Sequence, residues 1–107
     1  MSGRAFLFYS FSMFYLYILY SLSSDKYYVG YTSDPNRRLE EHNTSEMTTY
    51  TSKHRPWVLK AVYLCGELES DAIRIERFIK KQKSRNLLER LIEGSVLTGI
   101  LAQLVRA

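Results

Sequence analysis

At 107 residues the chain is long enough to bury one core and too short for two. Hydrophobic residues make up 46% and charged residues 24%, the balance of an ordinary globular protein, which argues against intrinsic disorder. The single cysteine, Cys65, excludes an internal disulfide, and with His42 and His54 it supplies too few ligands for a zinc site built from four cysteines or from two cysteines and two histidines, while a net charge of +4 permits a polyanionic partner.

The first segment of note is Ala5 to Leu22, which carries no charge and follows Arg4. Its length is that of a candidate membrane span, and its basic start is that of a signal peptide. Tyrosines and serines dilute its hydrophobicity, and no A-x-A cleavage site follows. Its second half, Phe14 to Ser21, is dense in aromatic and branched side chains and reads as a strand buried on both faces. Leu22 to Asp25 is a turn by composition. Lys26 to Thr32 is a second strand, so the pair forms a hairpin. Gly30 inside it marks a bulge or a close backbone approach. Asp34 and Pro35 then open a helix running roughly to His42, because the carboxylate caps free N–H groups and the proline has none to lose. Asn43 ends that helix, and a polar loop continues to His54. Trp57 to Cys65 is a third strand, broken by Gly66. A second helix is expected over roughly Ser70 to Lys83, where Ala72, Ile75, Phe78, Ile79 and Gln82 recur at helical spacing. A third follows over Arg85 to Glu93. The tail from Val96 to Ala107 is apolar and comes after a helix stop at Gly94-Ser95. Its string LAQLVRA resembles a mistranslated transfer-RNA gene, so the tail is expected to be read-through without function. The plainer reading is a short helix packed on the domain. The order β-β-α-β-α-α implies a small α/β domain with a three-stranded sheet covered by helices.

Four features converge on one chemistry. Tyr17 and Tyr28 lie on neighbouring strands. Arg38 and His42 share a helix face at i and i+4. Glu76 sits near the edge of the second helix's apolar face. Lys80, Lys81, Lys83 and Arg85 form a basic run, with Lys53 and Arg55 as further cations. A carboxylate can hold a divalent cation, a guanidinium can grip a phosphate by two parallel N–H bonds, and a tyrosine or histidine can move the proton of an attacking water. That is the inventory of a phosphodiester hydrolase. Each feature alone has a plainer reading: surface tyrosines, a solvated Arg-His face, a Glu76–Lys80 surface pair, a solubilising helix end.

The segments YLYIL (Tyr15 to Leu19) and YVG (Tyr28 to Gly30) resemble the two halves of the GIY-YIG nuclease signature. YVGYTSDPNRRLEEHN and AIRIERFIKKQKSR continue the likeness in the right order, from about Phe14 to Glu93, and the chain is similar to the small single-domain members. The resemblance implies a small antiparallel sheet flanked by helices. It also implies one-metal, in-line hydrolysis of DNA by an activated water, with Mg²⁺ or Mn²⁺. Tyr17 and Tyr28 would be the motif tyrosines, one of them the base, and Gly30 the motif glycine. Arg38 would steady the phosphate, His42 would follow one turn later, and Glu76 would hold the metal. Asn86 is the candidate for a late asparagine near the metal. In this sequence Tyr15 replaces the first motif's glycine. Small members of the family usually begin within a few residues of their first strand, and Met13 stands directly before it, so Met1 to Ser12 is expected to be a mis-assigned extension with translation starting at Met13, the domain to span 13–95, and the location to be the cytoplasm. DNA binding through the lysine and arginine cluster should weaken with salt. Two rival readings are a nucleic-acid-binding module without turnover and a protein anchored in a membrane by Ala5 to Leu22. The sequence names no protein partner.

Overall fold

A computed structural model describes residues 12–95 and 97–107. Strands β1 (Phe14–Ser21), β2 (Lys26–Thr32) and β3 (Trp57–Gly66) form an antiparallel sheet, with β1 between the other two. The aromatic and branched run of β1 suits that central place, because both of its faces are covered. Leu16 and Ile18 point to one side, Tyr17 and Leu19 to the other, and all four are buried. Helices α1 (Pro35–Thr44), α2 (Glu69–Gln82) and α3 (Arg85–Glu93) complete the expected order.

A fourth strand corrects the expected three. β4 (Val105–Arg106) pairs antiparallel with Tyr63 and Leu64 of β3, giving the sheet order β2-β1-β3-β4. A two-residue strand is too short to show any alternation in sequence. The tail docks on the domain as a short 3₁₀ helix, Gly99–Gln103, followed by β4. Leu101 and Leu104 enter the core, and Arg106 Nη1 donates to the carbonyls of Leu91 and Ile92 at 3.2 and 3.1 Å, satisfying the last turn of α3. The first eleven residues, and with them most of the expected extension, lie outside the described residues. The second half of the apolar Ala5 to Leu22 stretch is β1, and among the described residues no helix is long and apolar enough to cross a membrane.

The hairpin runs in register without a bulge, and Tyr17 faces Gly30 directly. Two irregularities fall instead in β3: Cys65 is passed over between the Phe14–Gly66 and Tyr15–Leu64 pairs, and in mid-strand Ile18 pairs with Ala61 but Leu19 with Leu59, leaving exposed Lys60 as the extra residue of a bulge. That bulge switches the parity of β3. Trp57 and Leu59 join Tyr17, Leu19, Tyr28 and Leu39 under α1, while Ala61, Tyr63 and Cys65 join Leu16, Ile18 and Val29 under α2 and α3.

The helix ends follow local chemistry. Asp34 Oδ1 accepts from the N–H of Arg37 at 3.1 Å, with Pro35 in the first turn. α1 continues two residues past His42, because Asn43 does not cap it: its side chain brackets Trp57, donating to Trp57 O at 3.0 Å and accepting from Trp57 N at 2.7 Å. The polar loop contains a 3₁₀ turn, Thr51–His54. α2 begins with Glu69 and Asp71 and ends with Lys80 and Lys81, the arrangement its dipole favours. It stops at Lys83, whose backbone is left-handed (φ 48°). Asp25 in the hairpin turn is left-handed too (φ 53°). Ser84 caps α3, accepting from Leu87 N at 3.0 Å, and left-handed Gly94 ends it.

Candidate active site

Tyr17 is the buried centre of the site, only 2% exposed. Its ring lies flat across Gly30, where any Cβ would run into the phenol, so the motif glycine serves a close approach of side chain to backbone. Tyr17 Oη is 2.9 Å from His42 Nε2, and His42 Nδ1 is 2.9 Å from Thr51 Oγ1. Burial, aided by the Arg38 guanidinium, pushes the His42 pKa down to about 4, so the ring is neutral at pH 7. Burial also pushes the Tyr17 phenol well up, with Tyr28 adding to the rise and Arg38 opposing it in part. A protonated phenol and a neutral imidazole are compatible with a continuous relay in one tautomer, and the other tautomer reverses both bonds. In the first of these, the Tyr17 phenol donates to Nε2 and Nδ1–H donates to Thr51.

The loop behind His42 is laced to hold that geometry. Thr51 carries its carbonyl to the Trp57 indole N–H at 2.7 Å, and its hydroxyl also lies 3.1 Å from that of Thr49. Arg55 turns inward: Nε donates to His42 O at 2.6 Å and Nη2 to Ser45 O at 2.7 Å. Its charge closes the C-terminal end of α1 instead of facing outward with the other cations.

Tyr28, from β2, is only half-buried. Its ring meets that of His42 edge-on at 5.0 Å and lies 6.3 Å from that of Tyr17. Arg38 reaches the same place from α1, where it pairs with Glu41 at 3.1 Å and lowers the Tyr17 phenol from its burial-raised value. Glu76 approaches from α2, close enough to add to the rise at Tyr17, and pairs with Lys80 at 3.2 Å. Lys80 Nζ stands 5.2 Å from the centre of the Tyr28 ring. The structure thus brings together Tyr17, Tyr28, Gly30, Arg38, His42 and Glu76.

Two cavities meet at Tyr28. One, about 390 Å³, is lined by Arg38, His42 and Thr51. The other, about 380 Å³, is lined by Lys80, Lys83 and Arg85 together with Lys26, a cation that no motif or spacing singles out. Arg85 is held by Asp25 at 2.6 Å and by Glu89 at 3.5 Å. Lys81 and Lys53 are exposed but line neither cavity, and Asn86, exposed in the first turn of α3, makes no hydrogen bond to the cluster among the described residues.

Among the described residues no three His, Cys, Asp or Glu side chains gather as a metal cage. A single carboxylate fits a hard cation that keeps water and phosphate oxygens as its remaining ligands, as Mg²⁺ does. Glu76 meets that description, with Oε1 turned to Lys80 and Oε2 unpaired among the described residues.

A family model described as the GIY-YIG catalytic domain matches residues 13–89. The chain is 32% identical over 85 residues to a UPF0213 protein of Limosilactobacillus reuteri, covering 78% of this chain and 86% of that one. It is 34% identical over 81 residues to a UPF0213 protein of Streptococcus pneumoniae, covering 75% and 79% of the two chains. With a UPF0213 protein of Haloquadratum walsbyi it shares 36% identity over 78 residues, 70% and 85% of each.

Proposed function

This chain belongs to the GIY-YIG family, and we propose that it is a metal-dependent endonuclease that hydrolyses DNA phosphodiester bonds with an activated water. The observation that carries this reading is the convergence of side chains from four elements on one spot. They are Tyr17 of β1, Tyr28 of β2, Arg38 and His42 of α1, and Glu76 of α2.

The roles divide by exposure. Tyr28 lines both cavities and is the tyrosine that meets the attacking water. Lys80 stands over its ring, Nζ 5.2 Å from the centroid. Tyr17, buried and protonated, orients the neutral His42 ring that packs edge-on against Tyr28. Arg38 exchanges its Glu41 partner for the substrate phosphate, which accepts two parallel N–H bonds. Glu76 would hold the divalent cation, which offsets charge on the phosphate and on the departing oxygen when bound.

One observation favours the binding-module rival: Lys80 already partners the Glu76 carboxylate at 3.2 Å. Cleavage of single-stranded, duplex, nicked and branched DNA with Mg²⁺ or Mn²⁺ decides between them. Metal-dependent cleavage that disappears in both Glu76→Ala and Arg38→Ala supports the nuclease. DNA binding without cleavage, indifferent to Glu76, overturns it.

A further inference from the structure

Tyr50 has no part in the chemistry above, yet it stands where the two cavities join. Its ring lines both the Arg38 cavity and the Lys80 cavity. It is 49% exposed, and its hydroxyl has no hydrogen-bond partner among the described residues. A large aromatic side chain left this open at a cleft has an unused face.

The ring is also held in place. It lies 28° from parallel with Tyr28, centroids 6.4 Å apart, and 4.8 Å from the ring of His54. His54 is anchored in turn by a 2.9 Å hydrogen bond between Nδ1 and Ser24 Oγ. On the chain side, Thr49 and Ser52 bond each other reciprocally across Tyr50, Thr49 N to Ser52 Oγ at 2.9 Å and Ser52 N to Thr49 Oγ1 at 3.3 Å. Exposed Met47 extends the apolar rim on the Arg38 side.

Charge decides what this ring can receive. Cations wait on both sides of it, Arg38 in one cavity and Lys80, Lys83 and Lys26 in the other. A polyanionic strand with phosphates on both groups must cross Tyr50 between them. The Tyr50 hydroxyl can donate to one phosphate oxygen, but the face of its ring offers a phosphate nothing, whereas every nucleobase has an aromatic face that stacks on it.

We propose that Tyr50 is a stacking platform for the nucleobase next to the phosphate held by Arg38, a base that must leave its own stack to reach it. The proposal rests on the nuclease reading. Its test uses the full chain in EDTA at low salt, with three probes: oligothymidylate, an oligomer of equal length whose sugars carry no base, and a duplex. Tyr50→Ala and Tyr50→Leu should weaken oligothymidylate binding by about 5- to 150-fold, the range that stacking of one base on an aromatic side chain spans. Both should leave the baseless oligomer within about two-fold of the unmodified protein, and Tyr50→Trp should keep the affinity for oligothymidylate. Equal weakening on both oligomers, or none on either, overturns the proposal. So does binding of duplex alone. Failure to bind any of the three probes removes the nuclease reading itself.

Discussion

The two faces of the sheet are filled by different materials. Between the sheet and α2, α3 and the tail lie Leu16, Ile18, Val29, Ala61, Ile75, Ile79 and Leu91, a mainly aliphatic layer in which the buried Tyr63 Oη donates to Leu91 O at 2.6 Å. Under α1 the buried set is small and two-thirds aromatic, Tyr17 and Trp57 with Leu19, and it is continuous with the web of His42, Thr51, Asn43 and Arg55. Every buried side-chain N or O atom among the described residues finds a partner. One face is therefore stabilised by area removed from water, the other by hydrogen bonds whose loss strands a buried group. Because β1 feeds both, alternate residues of a single strand serve folding and the candidate site. α2 repeats the division between Ile75 and Glu76.

That division is best broken at neighbouring residues. Glu76→Ala should reduce DNA cleavage by about 10³-fold, as expected when charge stabilisation at a reacting phosphate is lost, while its urea midpoint stays near that of the unmodified protein. Ile75→Ala, one residue earlier and fully buried, should cost about 2–5 kcal/mol in urea unfolding. Cleavage by its folded fraction should hardly change. If the two variants behaved alike, the separation of the faces would be wrong.

The web makes a pH prediction that the aliphatic layer does not. His42 is held at about 4 in the fold against an ordinary 6.5, so between those values the unfolded chain binds more protons. Its contribution is complete above about pH 6.5 and is lost as the pH falls towards 4. Stability read from urea unfolding should drop over that window by on the order of 1–3 kcal/mol, and His42→Gln should flatten the slope. A smaller effect is expected at Thr51→Val, which leaves the buried His42 Nδ1 without its partner at a cost of about 1–2 kcal/mol, and Thr51→Ser should restore most of it. Thermal unfolding of the two variants side by side checks this.

Much of the framework is legible along the chain. β1, β2 and α3 fall where their composition, the turn at Leu22 to Asp25 and the Ser84 cap place them. The candidate cluster is legible as well, because its members lie on regular elements at motif spacing. What stays hidden has physical causes. The bulge at Lys60 is silent because both faces of β3 are apolar, so a parity switch leaves no mark on hydrophobicity. Thr51 and Tyr50 sit in an aperiodic loop, where no spacing tells which side chain turns inward. Arg55 shows the same limit for charge: sequence counts a cation, while its direction depends on the carbonyls that α1 leaves open.

Among the described residues two non-glycines have a left-handed backbone, Asp25 and Lys83, and both line the Lys80 cavity. Glycine would relieve about 1 kcal/mol at either position, so each side chain is kept at the expense of local ease. Lys83→Gly should therefore raise the melting temperature slightly while weakening DNA binding, and a screen for thermostability alone would select against the cleft it walls.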